Sequence, residues 1–176
     1  GVRGDGADPS ELLERAISEA EGVLAYRVCY RELPVNSMGN ELDLGFMKTS
    51  SDDLIRRLSG CESIILFAAT VGIELDRLTA RYAAVSPTVA LLLQAFGAER
   101  IESLCDLFDR EIAEEKAKLG FFVRPRFSPG YGDFPITAQK EIFGALDCPR
   151  KIGLTLNESL LMSPTKSVTA IIGIGK

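Results

Sequence analysis

One short stretch of this chain brings together side chains that can hold a polar small molecule with a flat ring. It reads Arg124-Pro125-Arg126-Phe127-Ser128-Pro129-Gly130-Tyr131-Gly132-Asp133-Phe134-Pro135. Guanidinium groups bind carboxylates and hydroxyls in a planar, two-pronged way, and aromatic rings offer flat apolar faces. The prolines and glycines exclude a regular helix or a central strand, so the stretch is predicted to be an ordered loop. A purely structural loop is the alternative that these residues alone leave open.

A second stretch, at residues 154–173, makes the first one more informative. Residues 126–131 resemble the Arg-x-x-x-Gly-Tyr motif of the S-adenosylmethionine-binding activation domain of cobalamin-dependent methionine synthase. The second stretch is similar to the Thr-Glu-Ser, Met-x-Pro and Ser-Val-Ser run that follows in that family. Its matching residues are Glu158-Ser159, Met162-Ser163-Pro164 and Ser167-Val168-Thr169. Two motifs in the family's order favour ligand binding over a structural loop. The resemblance covers residues 120–173 and is looser before them.

The resemblance implies roles for particular residues of the loop. Arg126 would hydrogen-bond the methionyl or ribosyl oxygens of S-adenosylmethionine. Gly130 would let the backbone approach the ligand closely, and Tyr131 would line the pocket. Gly132 and Asp133 would offer backbone groups to the adenine.

Other positions implied by the resemblance are less regular. Glu158 and Ser159 would be additional pocket residues, although a solvated turn fits them equally well. Family members use carboxylates to meet the positively charged end of the ligand, and those positions fall near Gln94 and Gly120, which carry no charge here. The nearby acids that could substitute for them are Glu102, Asp106 and Asp109.

The function implied by the resemblance is reactivation of a cobalamin enzyme. When cob(I)alamin is oxidised to cob(II)alamin, an electron together with the methyl group of S-adenosylmethionine restores methylcobalamin. The chain contains no histidine, so it has no imidazole to ligate cobalt or to serve as a general base. We therefore expect no catalytic residue and no metal site of its own, and a cobalamin brought by a separate methionine synthase or corrinoid protein. Flavodoxin or ferredoxin would serve as electron donor.

Two other functions remain open at this stage. One is a binding or interaction protein that has kept the fold and lost the ligand, as the uncharged Gln94 and Gly120 would allow. The other is an independent methyltransferase that needs no corrinoid partner. A Rossmann-type methyltransferase is disfavoured, because no Gly-x-Gly-x-x-Gly follows a predicted strand.

Composition narrows the partners and the compartment. Twenty Lys plus Arg against 25 Asp plus Glu give a net charge of -5, which disfavours nucleic acid and anionic membranes. The four cysteines have no Cys-x-x-Cys spacing and are predicted to be free thiols. With no apolar run of signal or membrane-spanning length, a cytoplasmic location is expected. Residues 1–7 are predicted to be a disordered leader and residues 8–176 a single domain.

Hydrophobic periodicity and turn residues predict the elements that must position the loop. The expected helices are 9–21, a short helix ending near Leu58, one following Gly72, 87–118 and 137–146. The expected strands are 24–30, 63–69, 152–156 and 168–172, of which 63–69 is the best candidate for a central strand. Helix 87–118 is expected to bend or break near Gly97 because of its length. The predicted class is α+β, a mainly antiparallel sheet flanked by helices.

Overall fold

A computed structural model describes residues 8–176, and the leader predicted at residues 1–7 lies outside the described residues. Asp8 is the N-cap of the first helix, and its carboxylate accepts a hydrogen bond from the backbone N–H of Ser10. Within the described part the helices are α1 (Pro9–Val23), α2 (Asp52–Arg57), α3 (Glu74–Ala83), α4 (Pro87–Lys118), α5 (Gln139–Leu146) and α6 (Cys148–Ile152). A 3₁₀ turn, Ile136–Ala138, leads directly into α5.

An antiparallel sheet forms the centre of the domain. The strands of the described residues are β1 (Arg27–Pro34), β2 (Asn36–Ser37), β3 (Leu42–Asp43), β4 (Lys48–Thr49), β5 (Cys61–Thr70), β6 (Phe122–Val123), β7 (Thr155–Leu156), β8 (Met162–Ser163) and β9 (Ser167–Gly175). The main sheet has the order β1-β5-β9-β6, and all its neighbours are antiparallel. The remaining strands form two small accessory sheets. The predicted α+β class with a mainly antiparallel sheet is confirmed.

Strand β5 is buried on both faces, as its continuous apolar sequence predicts. Because side chains alternate along a strand, Ile65 and Phe67 face one layer, whereas Ile64 and Leu66 face the other. The first layer is built by α1, α3 and α4. The second is built by α2, α5, α6 and the loop that follows β6. The candidate site therefore rests on a sheet that is covered on both sides.

Helix α4 runs without interruption through Gly97, so the break expected there is wrong, whereas the bend expected as its alternative stays a prediction. The reason for the glycine is close packing. A Cβ at this position would lie 2.6 Å from Cδ2 of Leu75 and 3.0 Å from Cγ of Lys166. Gly97 thus lets α3 and the segment before β9 approach α4, and tertiary packing outweighs the low helix propensity of glycine.

This explanation predicts opposite effects for two glycine substitutions in helices. Gly97→Ala should destabilise the protein, because the new methyl group would overlap Leu75. Gly144→Ala in α5 should stabilise it by about 0.5 to 1 kcal/mol, because nothing lies within 4 Å of the added Cβ. Urea unfolding of both variants measures this. A stabilised Gly97→Ala variant would contradict the packing argument.

Two predicted strands begin three residues too early. The strand predicted at 24–30 is β1, which begins at Arg27 because Thr70, the last residue of β5, pairs with Arg27. The strand predicted at 152–156 is wrong at its start, since Ile152 ends helix α6. Left-handed backbone at Asp147 and Gly153 bounds this short helix, and Pro149 lies in its first turn. Only Thr155 and Leu156 form a strand.

Candidate functional site

The loop at residues 124–135 begins as an extension of the sheet. The backbone N–H of Arg124 donates to the carbonyl of Gly173 at 2.8 Å, and Phe127 exchanges two backbone hydrogen bonds of 2.9 Å with Ile171. Successive side chains of an extended segment point to opposite faces. Phe127 accordingly lies in the second core layer, whereas Arg126 reaches α4 on the first layer.

The turn of the loop is built over a buried aromatic side chain. Phe134 is only 1% exposed, and its ring stacks on that of Phe127 with centroids 6.1 Å apart. The backbone N–H of Gly130 donates to the carbonyl of Phe134 at 2.8 Å. Gly130 has a φ of 93°, a conformation that glycine adopts readily and other residues do not. The predicted ordered loop is confirmed.

The far end of the loop is bound to the N-terminus of α2. The carboxylate of Asp133 accepts hydrogen bonds from the backbone N–H groups of Asp52, at 2.6 Å, and Asp53, at 3.2 Å, and from the hydroxyl of Ser51. In return, the backbone N–H of Asp133 donates to the carboxylate of Asp53 at 3.2 Å. The hydrogen bond from Ser51 is the main reason why the pKa of Asp133 is lowered.

This arrangement gives Gly132 and Asp133 a clear structural role. A Cβ on Gly132 would overlap the carboxylate of Asp53, and its φ of 54° is a left-handed conformation that glycine adopts readily. The N–H and the carboxylate of Asp133 are both used inside the protein. Contact of these two residues with adenine stays a prediction.

Arg126 lies among three carboxylates of α4. Its guanidinium donates to Glu102 at 2.7 Å, to Asp106 at 2.8 Å and to Asp109. Burial acts to lower the pKa of Arg126, but the hydrogen bonds to Asp106 and Asp109 outweigh it and raise the pKa. Burial raises the pKa of Asp109, although Arg126 opposes that rise. Counting these four side chains, three acids and one arginine leave an excess of two negative charges beside the loop.

A pocket of about 480 Å³ opens between the two sequence motifs. The first motif contributes Arg126, Phe127, Ser128, Pro129 and Tyr131. The second motif contributes Met162, Ser167, Val168 and Thr169. The other lining residues are Arg57, Glu102 and Gln139. Two segments that are far apart in sequence therefore share one cavity, whose size lies within the usual range for a small-molecule site.

The site residues predicted from sequence do not all reach this pocket. Arg126 and Tyr131 line it, and Gly130 shapes the loop beside it. Glu158 and Ser159 lie in the exposed turn between β7 and β8, and they are not among its lining residues. Their participation in binding stays a prediction.

The two positions where family carboxylates were expected also lie outside the pocket lining. Gln94 is exposed on α4, one residue after the buried Leu93. Gly120 follows the C-terminus of α4 with a φ of 80°, and its N–H donates to the carbonyl of Ala117. Of the three acids proposed as substitutes, all contact Arg126, and Glu102 also lines the pocket.

Gln139 and Arg57 line the pocket but are not among the site residues predicted from sequence. Gln139 precedes Ile142, Phe143 and Leu146 by three, four and seven residues, so it shares their buried face of α5. A polar residue in an apolar helical stripe is the signal that could have identified it. The guanidinium of Arg57 lies 4.3 Å from the centroid of the Phe127 ring, and no sequence pattern indicates this contact.

Two further properties of the chain concern its cysteines and the hydrophobicity of its helices. The four cysteines, all in the described part of the chain, are free thiols, as predicted. Among residues 8–176, no helix combines the length and apolar character needed to cross a bilayer.

Most of this chain is similar to known proteins. A family profile described as "Vitamin B12 dependent methionine synthase, activation domain" matches residues 40–175. A solved structure, the crystal structure of the MetH reactivation domain bound to AdoHcy, is similar with a TM-score of 0.67 and 20% sequence identity. The match covers 96% of this chain and 67% of that chain, and at this identity it is a likeness of fold. No curated protein matches.

Proposed function

Because this chain belongs to the activation domain family of vitamin B12-dependent methionine synthase, we propose that it binds S-adenosylmethionine in the pocket beside Arg126 and presents the methyl group to a corrinoid held by another protein. The family membership inferred from the two motifs is confirmed by the profile match. The observation that carries the proposal is that both motifs line a single cavity.

The lining of the pocket suits the parts of S-adenosylmethionine. Arg126 and Arg57 offer cationic donors for the carboxylate of the methionyl group. Glu102 and the negative charge of the acids behind it favour the sulfonium and ammonium groups. The rings of Phe127 and Tyr131 offer apolar faces to the nucleoside.

Gly130, Gly132 and Asp133 have a supporting role in this proposal. They hold the loop so that Arg126 and Tyr131 face the cavity, and their exposed backbone groups remain candidates for contact with the ligand. Gln94, Glu158 and Ser159 would act only at the margin of the site, because none of them lines the pocket.

The residues of this chain would contribute binding and orientation. The corrinoid supplies the nucleophile for the methyl group, and a flavodoxin- or ferredoxin-type donor supplies the electron. Holding the methyl donor in a fixed position converts an encounter of two molecules into a nearly unimolecular step. Without histidine, the chain depends on a cobalamin-binding methionine synthase or similar protein for the lower ligand of the cobalt.

Isothermal titration calorimetry tests the binding step. We expect S-adenosylmethionine and S-adenosylhomocysteine to bind with a stoichiometry of one and a micromolar to low-millimolar dissociation constant. Arg124→Ala is a suitable control, since this exposed arginine donates to the carbonyl of Ser59 and does not line the pocket. Absence of heat with both ligands would favour the alternative, an interaction protein of the same fold.

A reconstitution experiment tests the transfer step. A cobalamin-binding methionine synthase without its own activation domain is incubated with a chemical reductant, labelled S-adenosylmethionine and this chain. We expect label on the corrinoid only when the chain is present. Labelled product formed on another substrate without any corrinoid protein would instead indicate an independent methyltransferase.

A further inference from the structure

Gln139 lines the pocket and carries a hydrogen-bond acceptor that has no partner in the described part of the chain. Its side chain lines the cavity, and the residue is only 5% exposed. No group among residues 8–176 donates a hydrogen bond to its buried Oε1 atom. Buried polar atoms in folded proteins almost always have a partner. Surrounding protein atoms cover Oε1, and rotation about the broad last torsion of the glutamine side chain brings it to the cavity, where a ligand supplies the donor.

The surroundings of Gln139 hold its backbone in place. It is the first residue of α5, directly after the 3₁₀ turn Ile136–Ala138. Ile142, Phe143 and Leu146 on the same helical face are buried in the second core layer. The helix is therefore anchored to the core, and the amide is presented to the cavity by a rigid element rather than by a mobile loop.

We propose, on the basis of the proposed function, that Gln139 recognises the adenine base of the ligand. Its Oε1 accepts a hydrogen bond from the exocyclic amine of adenine, and its Nε2 donates to N7 of the ring. A glutamine amide matches this edge of adenine in a two-pronged way. The methionyl carboxylate, ammonium and sulfonium are matched by the charged side chains Arg126 and Glu102 instead.

The apolar lining supports adenine rather than ribose as the partner of Gln139. Ribose hydroxyls both donate and accept, so they do not need a dedicated acceptor on a buried helix. A flat base needs apolar surface on its faces and polar groups at its edge. Phe127, Pro129, Met162 and Val168 provide such surface in the same cavity as Gln139.

The proposal predicts discrimination between two nucleosides. S-inosylhomocysteine has a carbonyl oxygen where S-adenosylhomocysteine has the exocyclic amine, so both atoms on this edge become acceptors and the two-pronged pair is lost. We expect the wild-type protein to prefer S-adenosylhomocysteine by about ten- to a hundredfold. In Gln139→Met the ratio of the two dissociation constants should fall close to one, mainly because S-adenosylhomocysteine binds more weakly.

Titration calorimetry of both nucleosides with wild type, Gln139→Met and Lys140→Met tests the proposal. Lys140→Met places the same side chain at the next residue of α5, which is exposed and does not line the pocket, and it should keep the wild-type preference. Gln139→Met should unfold at a temperature equal to or above that of wild type, because it removes an unpaired buried acceptor. Gln139→Glu serves as a second variant, since it keeps the side chain's shape and an acceptor but lacks the donor to N7.

The outcomes separate this inference from the proposed function. If wild type binds S-adenosylhomocysteine and both Gln139 variants keep its preference over S-inosylhomocysteine, the role of Gln139 is overturned while the proposed function stands. Equal binding of both nucleosides by wild type overturns it as well. If wild type binds neither nucleoside at low-millimolar concentration, the proposed function fails and this inference fails with it.

Discussion

Replacing Arg126 with alanine should weaken S-adenosylmethionine binding by about ten- to a hundredfold, the equivalent of a charge-assisted hydrogen bond of roughly 1.5 to 3 kcal/mol. Arg126→Lys should recover only part of the affinity, because one ammonium cannot make a planar two-pronged contact. Titration calorimetry of the three proteins measures this, with Arg124→Ala as the matched control. Equal affinities for wild type and both Arg126 variants would show that Arg126 does not touch the ligand.

Arg126→Ala should also be less stable than wild type, because it removes the cation that lies among Glu102, Asp106 and Asp109. Glu102 and Asp106 are mostly exposed and contribute little. Asp109 is 28% exposed and Arg126 is 22% exposed, so their contact is less screened by water. We expect a loss of about 1 to 2 kcal/mol, which corresponds to a fall in melting temperature of about 2 to 8 °C.

This loss of stability should depend on pH. The pKa of Asp109 is raised by burial in the folded protein, so the folded state binds a proton more readily than the unfolded state. A raised carboxyl pKa makes stability fall as the pH rises through the range between the unfolded and folded values. Without Arg126 the pKa of Asp109 should rise further. The stability difference between Arg126→Ala and wild type should therefore be largest at neutral pH and shrink as the pH falls toward about 4, the ordinary range of aspartate.

Urea unfolding of wild type and Arg126→Ala across this pH range is the measurement. The double variant Arg126→Ala with Asp109→Asn should recover stability at neutral pH, since the asparagine side chain carries no charge. A difference that stays constant with pH, or a double variant less stable than Arg126→Ala, would contradict the role assigned to Asp109.

Phe134→Ala should have the largest effect on stability among the changes considered. Its side chain is 1% exposed, stacks on Phe127 and lies beneath the turn that carries Tyr131. Removing a buried phenylalanine side chain costs about 3 to 5 kcal/mol through lost burial and the resulting cavity. In a domain of this size that corresponds to a fall of about 6 to 20 °C in melting temperature. Ligand binding should weaken as well, because the loop loses its support.

Tyr131→Ala is the matched control for Phe134→Ala. Tyr131 lies three residues earlier in the same loop and is 67% exposed, so its removal should change stability by less than about 0.5 kcal/mol. Because Tyr131 lines the pocket, its removal should still weaken binding. Thermal unfolding and calorimetry of both variants give the comparison. Similar melting temperatures for the two variants would show that the loop does not depend on Phe134.

The sequence predicts best those elements whose pattern is local. The apolar run of β5 and the short helix that ends near Leu58 are read directly from neighbouring residues, and both appear in the structure. The start of β1 depends instead on where its partner β5 ends, which no pattern within residues 24–30 encodes. The packing role of Gly97 is not predicted for a similar reason, because the residues it packs against, Leu75 and Lys166, are distant in sequence.

The candidate site could be predicted only in part. The motif identifies Arg126 and Tyr131, because both residues lie in one short segment of the sequence. The sequence suggests the acids of α4 only as partners of the ligand. Their contact with Arg126 depends on the alternation of side chains along residues 124–127, which pair with β9. The pairing of Asp133 with α2 is a contact across 80 residues or more, which a single sequence does not reveal.

The position of β9 in the sheet has a consequence for how the protein is made. Its residues, 167–175, are translated after those of both its neighbours, β5 and the segment 122–127. Until the residues of β9 leave the ribosome, β5 lacks one of its two partner strands. Apolar side chains such as Ile64 and Ile65 are then partly exposed. Unpaired strand edges and exposed apolar surface promote aggregation of nascent chains, and pairings that are distant in sequence form slowly. The main sheet and the site loop that extends along β9 should therefore form together, and only after β9 has been synthesised.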